Sequence, residues 1–81
     1  MRQIWVVDDD RSIRWVLEKA LTRAQMPFRL FESAADVVKA FERDTPSVLL
    51  SDIRMHDMSG LDLLAFVKNK YPGLPVIIMT A

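Results

Sequence analysis

Ile4-Trp5-Val6-Val7-Asp8-Asp9-Asp10 decides how the chain is read. Four apolar residues, β-branched except for the tryptophan, run without interruption into three acids. An uninterrupted apolar run of this kind marks a strand covered on both faces, as in a parallel sheet, whereas a half-exposed strand would alternate. The run predicts a first strand over Gln3 to Val7. Downstream, Ile13, Val16, Leu17, Ala20, Leu21 and Ala24 recur at helical spacing, and Asp10 or Ser12 can accept a backbone N–H at the helix start. That helix should run to about Arg23, with Pro27 breaking the pattern. Phe28 to Phe31 alternates apolar and basic residues and predicts a short second strand with one wetter face. Ser33 and Asp36 have the spacing of a capping box before a second helix carrying Val37, Val38 and Phe41, which Asp44, Thr45 and Pro46 end. Val48 to Leu50 gives a third strand running into Ser51 and Asp52. Leu61, Leu64, Val67 and Tyr71 mark a third helix, and after Pro72 and Pro75 the run Val76 to Met79 gives a fourth strand before Thr80.

Alternating strands and helices with short connections predict an α/β fold with a parallel sheet, doubly wound, in which ligands bind beyond the carboxyl ends of the strands. At 81 residues one small core is possible and a second domain is not. Apolar residues make up 51% and charged residues 27%, with only two glycines and four prolines, which excludes a disordered or low-complexity chain. Eleven basic and eleven acidic residues cancel, so no net field draws the chain to nucleic acid or to an anionic membrane. The absence of cysteine removes thiolate catalysis, zinc-thiolate sites and disulfides, and a small unstapled chain suits a reducing compartment, the cytoplasm. The apolar run before Asp8 is too short for a signal peptide or a membrane span.

The chemistry lies at the strand ends. The first strand ends in Asp8, Asp9 and Asp10, the third in Asp52 and the fourth in Thr80. A single aspartate at such a place is usually a turn former or a helix cap, but the joint pattern is harder to explain that way. If the first and third strands are neighbours, their carboxylates converge. Two unit charges about 4 Å apart cost about 1 kcal/mol in bulk water and several times that at lower dielectric. Either some carboxyl groups stay protonated or a divalent cation binds, and an all-oxygen donor set favours magnesium or manganese over zinc. Magnesium is the expectation.

Trp5-Val6-Val7-Asp8-Asp9-Asp10, Leu49-Leu50-Ser51-Asp52-Ile53-Arg54-Met55, Ser59-Gly60 and Val76-Ile77-Ile78-Met79-Thr80-Ala81 together resemble the receiver domain of two-component response regulators. Asp10 to Leu21 and Leu49 to Met55 resemble more particularly the nitrogen regulatory protein C (NtrC) subfamily of transcriptional activators. The resemblance covers the whole chain. It implies a flavodoxin-like doubly wound sheet of strand order 2-1-3-4, with residues 1–81 forming a receiver that lacks its fifth strand and last helices. It implies a phosphoryl group passed from a sensor histidine kinase to Asp52, with Mg2+ held directly by Asp9 and Asp52, through water by Asp8, and by the backbone carbonyl of Arg54. Asp10 is then left to cap the first helix. Thr80 matches the hydroxyl that turns toward the phosphoryl group, and the output partners would be an ATPase and a DNA-binding domain outside this chain. Neither nucleic acid nor membrane would be contacted directly, and the activity would be that of a phosphoacceptor, not a conventional enzyme.

Two departures from the family pattern stand out. Met55-His56 replaces the frequent Met-Pro, and the lysine of the fifth strand has no counterpart, since Lys68 and Lys70 fall on the third helix. His56 is expected to be exposed and without a role. Phe28, Phe31, Phe41 and Phe66 are expected mostly in the core, and Trp15, off the main apolar stripe, half-covered. Asp8 and Asp10 also have the spacing of a haloacid-dehalogenase nucleophile pair, but Arg11 and Ser12 do not continue that pattern. Val48 to Asp52 could end in the magnesium aspartate of a nucleotide triphosphatase, but no glycine-rich phosphate loop precedes it. A receiver with an inactive site, used only for protein interaction, is the third alternative. A sheet with one helix on one face and two on the other leaves apolar surface and an apolar edge strand bare, so the fragment is expected to self-associate.

Overall fold

The computed structural model describes residues 2–79. Four strands and three helices alternate as β1 (Ile4–Val7), α1 (Arg11–Arg23), β2 (Phe28–Phe31), α2 (Ala34–Ala40), β3 (Val48–Asp52), α3 (Gly60–Lys70) and β4 (Val76–Met79). All pairings are parallel, in the order β2-β1-β3-β4. Thr80 lies outside the described residues. Gln3, placed in the first strand by its sequence, falls just before it, its side-chain amide donating to the Phe28 carbonyl at 3.3 Å.

Helix ends follow the local chemistry. Asp10 caps α1 by accepting from the backbone N–H of Ser12 at 2.8 Å and of Ile13 at 3.4 Å, and Ser33 and Ser59 cap α2 and α3 by accepting from the N–H of Asp36 and Asp62. α1 stops before Pro27 is reached. Gln25 takes a left-handed φ of 58°, its N–H bonds the Thr22 carbonyl, and the Met26 N–H bonds the Leu21 carbonyl at 3.0 Å. This is a Schellman closure made without glycine.

The core lies between the sheet and the α2/α3 layer. Trp5, Val7 and Leu49, at alternate strand positions, pack with Phe31, Ala34, Val37, Phe41, Leu63 and Val67. Trp5 meets Phe31 edge-on at 5.1 Å and Phe41 at 5.0 Å, and Tyr71 stacks on Phe41 at 4.8 Å while its hydroxyl donates to the Phe41 carbonyl. Phe31 and Phe41 are buried as expected, whereas Phe28 and Phe66 are only half-buried. Of the predicted α3 stripe, Val67 is buried and Tyr71 packs against the core, but the buried face continues through Leu63 and Gly60, leaving Leu64 half-buried and Leu61 55% exposed. The phase is set by Gly60, which enters against the backbone of β3 and so turns positions three and seven residues later inward.

The other face of the sheet is covered unevenly. One row of side chains crosses it through Leu30, Val6, Leu50 and Ile77 in register. Val6 is fully buried beneath α1, Leu30 and Leu50 are half-buried, and Ile77 on the edge strand is 53% exposed. Ile13 and Val16 of α1 are exposed too, and Trp15 is 60% exposed with Lys19 Nζ 5.5 Å from its ring.

Leu49→Ala should therefore cost about 2–5 kcal/mol, the range for a buried large-to-small change, while Ile77→Ala should stay near the about 0.5 kcal/mol of surface changes. Urea denaturation of the two variants and the parent is the check, and equal losses would contradict the uneven coverage of the sheet.

Candidate functional site

Parallel register brings the acids together. Val7 pairs with Ser51, so the residues that follow, Asp8 and Asp52, leave the sheet side by side at its carboxyl edge. Asp8, Asp9 and Asp52 each offer a carboxylate oxygen, and these oxygens lie within 4.8 Å of one another. Asp8 is 3% exposed, and Asp9 and Asp52 are half-buried. Asp8 Oδ1 accepts the Asp10 N–H at 2.8 Å, and the Asp8 carbonyl accepts from Arg14 Nη1 at 2.6 Å.

Burial pushes the Asp8 carboxyl above the usual carboxylate range; the Asp10 N–H opposes this, and the charges of Asp52, Asp9 and Asp10 add to it. Among the described residues the one close contact of a basic side chain with a carboxylate is that of His56 Nε2 with Asp9 Oδ2, at 3.3 Å, so no lysine or arginine neutralises the cluster. Three converging carboxylates, one of them buried and uncompensated, form an all-oxygen donor set of the kind that suits a hard divalent cation.

Asp10 does not join them. Its carboxylate is committed to the start of α1, so Asp8 and Asp10 do not form a nucleophile and acid pair as a haloacid dehalogenase would need. Arg54 lies two residues past Asp52 on an exposed turn. Gly60 closes the site from below: its N–H donates to the Ile53 carbonyl at 2.8 Å, and a Cβ at this position would come within 2.1 Å of the Asp52 carbonyl oxygen. Only glycine permits that approach.

Sequence reasoning assigned no part to His56 and none to Asp57. The N–H of His56 donates to Asp9 Oδ2 at 3.2 Å, and the Asp57 carboxylate accepts the N–H groups of Ala34 at 3.3 Å and Ala35 at 2.8 Å, binding the loop after β3 to the start of α2. Burial pushes the Asp57 carboxyl up, but the N–H groups of Ala35 and Ala34, with those of Asp57 and Met58, outweigh it and hold the group below the usual range. The absence of proline at position 56 is the one sequence signal that touches these contacts.

Residues 4–81 match the response regulator receiver domain. The chain belongs to the receiver-domain family of response regulators. The receiver is 65% identical over 78 residues to the DNA-binding transcriptional regulator NtrC of Proteus hauseri, covering 96% of this chain and 16% of that protein's length. It superposes on the apo receiver domain of nitrogen regulatory protein C with a TM-score of 0.87 at 56% identity, over 99% of this chain and 64% of that one. A response regulator from Thermotoga maritima, TrrA, in complex with Mg2+ and beryllofluoride, is 28% identical with a TM-score of 0.93, over 100% of this chain and 70% of that one. The flavodoxin-like strand order and the NtrC likeness expected from sequence are thus found. No helix among the described residues is long and apolar enough to cross a membrane.

The raised Asp8 pKa has a definite sign in stability. Between about 3.8 and its folded value the native receiver binds more protons than the unfolded chain, so this group's contribution falls as pH rises through that window. Asp8→Asn keeps an oxygen to accept the Asp10 N–H and loses the charge. In chelator it should be more stable than the parent at about neutral pH, and the difference should vanish below the unfolded-state carboxyl pKa of about 3.9. Urea titrations at both pH values check this; an Asp8→Asn variant less stable at neutral pH would contradict the raised pKa.

Proposed function

We propose that this receiver takes a phosphoryl group from a sensor histidine kinase onto Asp52 in a magnesium-dependent reaction, and so controls a transcriptional-activator output. The observation that carries the reading is the convergence of Asp8, Asp9 and Asp52 within 4.8 Å at the carboxyl edge of the sheet. Asp9 and Asp52 would hold Mg2+ directly, Asp8 through water, and Arg54 through its backbone carbonyl. Bound there, the ion neutralises the carboxylates and the charge on the transferred group. The magnesium–beryllofluoride complex of the Thermotoga maritima relative supports the use of Mg2+.

In the transfer, an Asp52 carboxylate oxygen attacks the phosphorus of a phosphohistidine in line. The O–P bond forms as the N–P bond breaks, and the imidazole leaves with the electron pair and takes up a proton. Because such a transition state is loose, positioning and charge neutralisation supply most of the catalysis. The register of Asp52 with Met79, and Gly60 against its carbonyl, support this reading by fixing the backbone that carries the carboxylate. Thr80, outside the described residues, is assigned the hydroxyl that donates to a phosphoryl oxygen once the acyl phosphate has formed. Exposure to acetyl phosphate and Mg2+, borohydride trapping and peptide mass spectrometry should find the label on Asp52 alone. Label on Asp8, Asp9 or Ser51 instead would overturn the assignment.

The chain spans 16% of the length of its Proteus hauseri relative and 64% of the NtrC receiver structure. On that coverage we read residues 1–81 as the leading part of a receiver whose ATPase and DNA-binding outputs, and a cytoplasmic setting, follow the NtrC pattern. Val16 and Ile77, each 53% exposed on the thinly covered side, support self-association of the isolated chain. Sedimentation across a concentration series should show mass rising with concentration, and a monomer at every concentration would rule self-association out.

A further inference from the structure

Two loops at the carboxyl edge of the sheet meet at one oxygen atom. The backbone N–H of His56 donates to Asp9 Oδ2 at 3.2 Å, and His56 Nε2 stands 3.3 Å from the same atom. The His56 side chain is 94% exposed, so apolar burial does not hold it there. The next residue anchors it. Asp57 accepts from the N–H groups of Ala34 and Ala35, at the start of α2, with both of its carboxylate oxygens. The backbone around residue 56 is thereby gripped from the α2 side by Asp57 and from the β1 side by Asp9. A proline at this position, the residue its family often carries, would have neither a backbone N–H nor a ring donor to offer.

We propose that His56, anchored through Asp57, is a positioning residue for Asp9: its backbone N–H holds Oδ2 and leaves Oδ1 as the oxygen offered to a divalent cation. The inference rests on reading Asp9 as a metal ligand. A carboxylate free to rotate loses side-chain entropy when it binds an ion, and a carboxylate already held loses less. Loss of an outer-shell partner of this kind typically costs about 10–100-fold in metal affinity. Charge alone predicts no weakening, because His56 carries no negative charge whose removal would reduce attraction for a cation. The direction of the effect therefore separates positioning from electrostatics.

The test is calorimetric titration of the full chain with Mg2+ alone, and with Mn2+ alone followed by the spin-resonance signal of free ion. His56→Pro should bind both ions about 10-fold more weakly. His56→Asn keeps the backbone N–H and a side-chain amide donor, and should stay within about twofold of the parent. His56→Ala also keeps the backbone donor and should likewise stay within about twofold. Affinity in His56→Pro equal to or above that of the parent, or His56→Asn no better than His56→Pro, overturns the proposal. Circular dichroism shows whether His56→Pro folds; if it does not, Asp57→Ala, which releases the anchor, decides, and an affinity equal to that of the parent overturns it. Asp9→Asn separates the two levels. If that variant binds Mg2+ as tightly as the parent, the metal reading itself falls, whereas if it loses the ion while His56→Pro keeps it, only the positioning role falls.

Discussion

Val7 opposite Ser51 is the pairing on which the rest of this receiver depends. Because side chains alternate along a strand, a slip of one residue would turn Trp5, Val7 and Leu49 out of the core and carry Asp8 away from Asp52. Burial fixes the register from below, since Trp5, Val6, Val7 and Leu49 are all fully buried. The same register fixes the acids from above, at the edge where the strands end. A core of large apolar side chains thus holds together three carboxylates that repel one another, and the pKa of Asp8 is raised first by its burial and further by that repulsion.

The strands and the acidic cluster were legible in the sequence because each depends on contiguous residues. A buried parallel strand is an unbroken apolar run, and the acids follow it directly. The start of α1 was legible for the same reason, Asp10 lying next to the helix that it caps. Its end at Arg23 was legible as well, but the left-handed closure at Gln25 was not, because the usual signal at such a position is a glycine. The inward face of α3 was read correctly at Val67 and Tyr71 but not in its first turns, where Leu61 and Leu64 fit a helical stripe as well as Leu63 does. What decides between them is the approach of Gly60 to the Asp52 carbonyl, a contact across the loop that periodicity does not encode.

The contacts of His56 with Asp9 and of Asp57 with Ala34 and Ala35 were hidden for a related reason. They join loops that lie far apart in the chain and meet only once the strand order is set. A composition-based reading treats a loop histidine and a loop aspartate as solvated, and the histidine ring is indeed almost fully exposed. Exposure and engagement are compatible here, because the donor that matters most is the backbone N–H, which only proline would lack.

Trp5 and Trp15 divide the molecule optically. Trp5 is sealed between Phe31 and Phe41, with its indole N–H buried and unpaired, whereas Trp15 stands in solvent beside Lys19. An indole in an apolar, water-free setting emits at shorter wavelength than one in water, and a small quencher reaches only the second. The two chromophores therefore report separately on the packed α2/α3 side and on the exposed surface of α1, so that a change confined to one layer can be followed by light without any label.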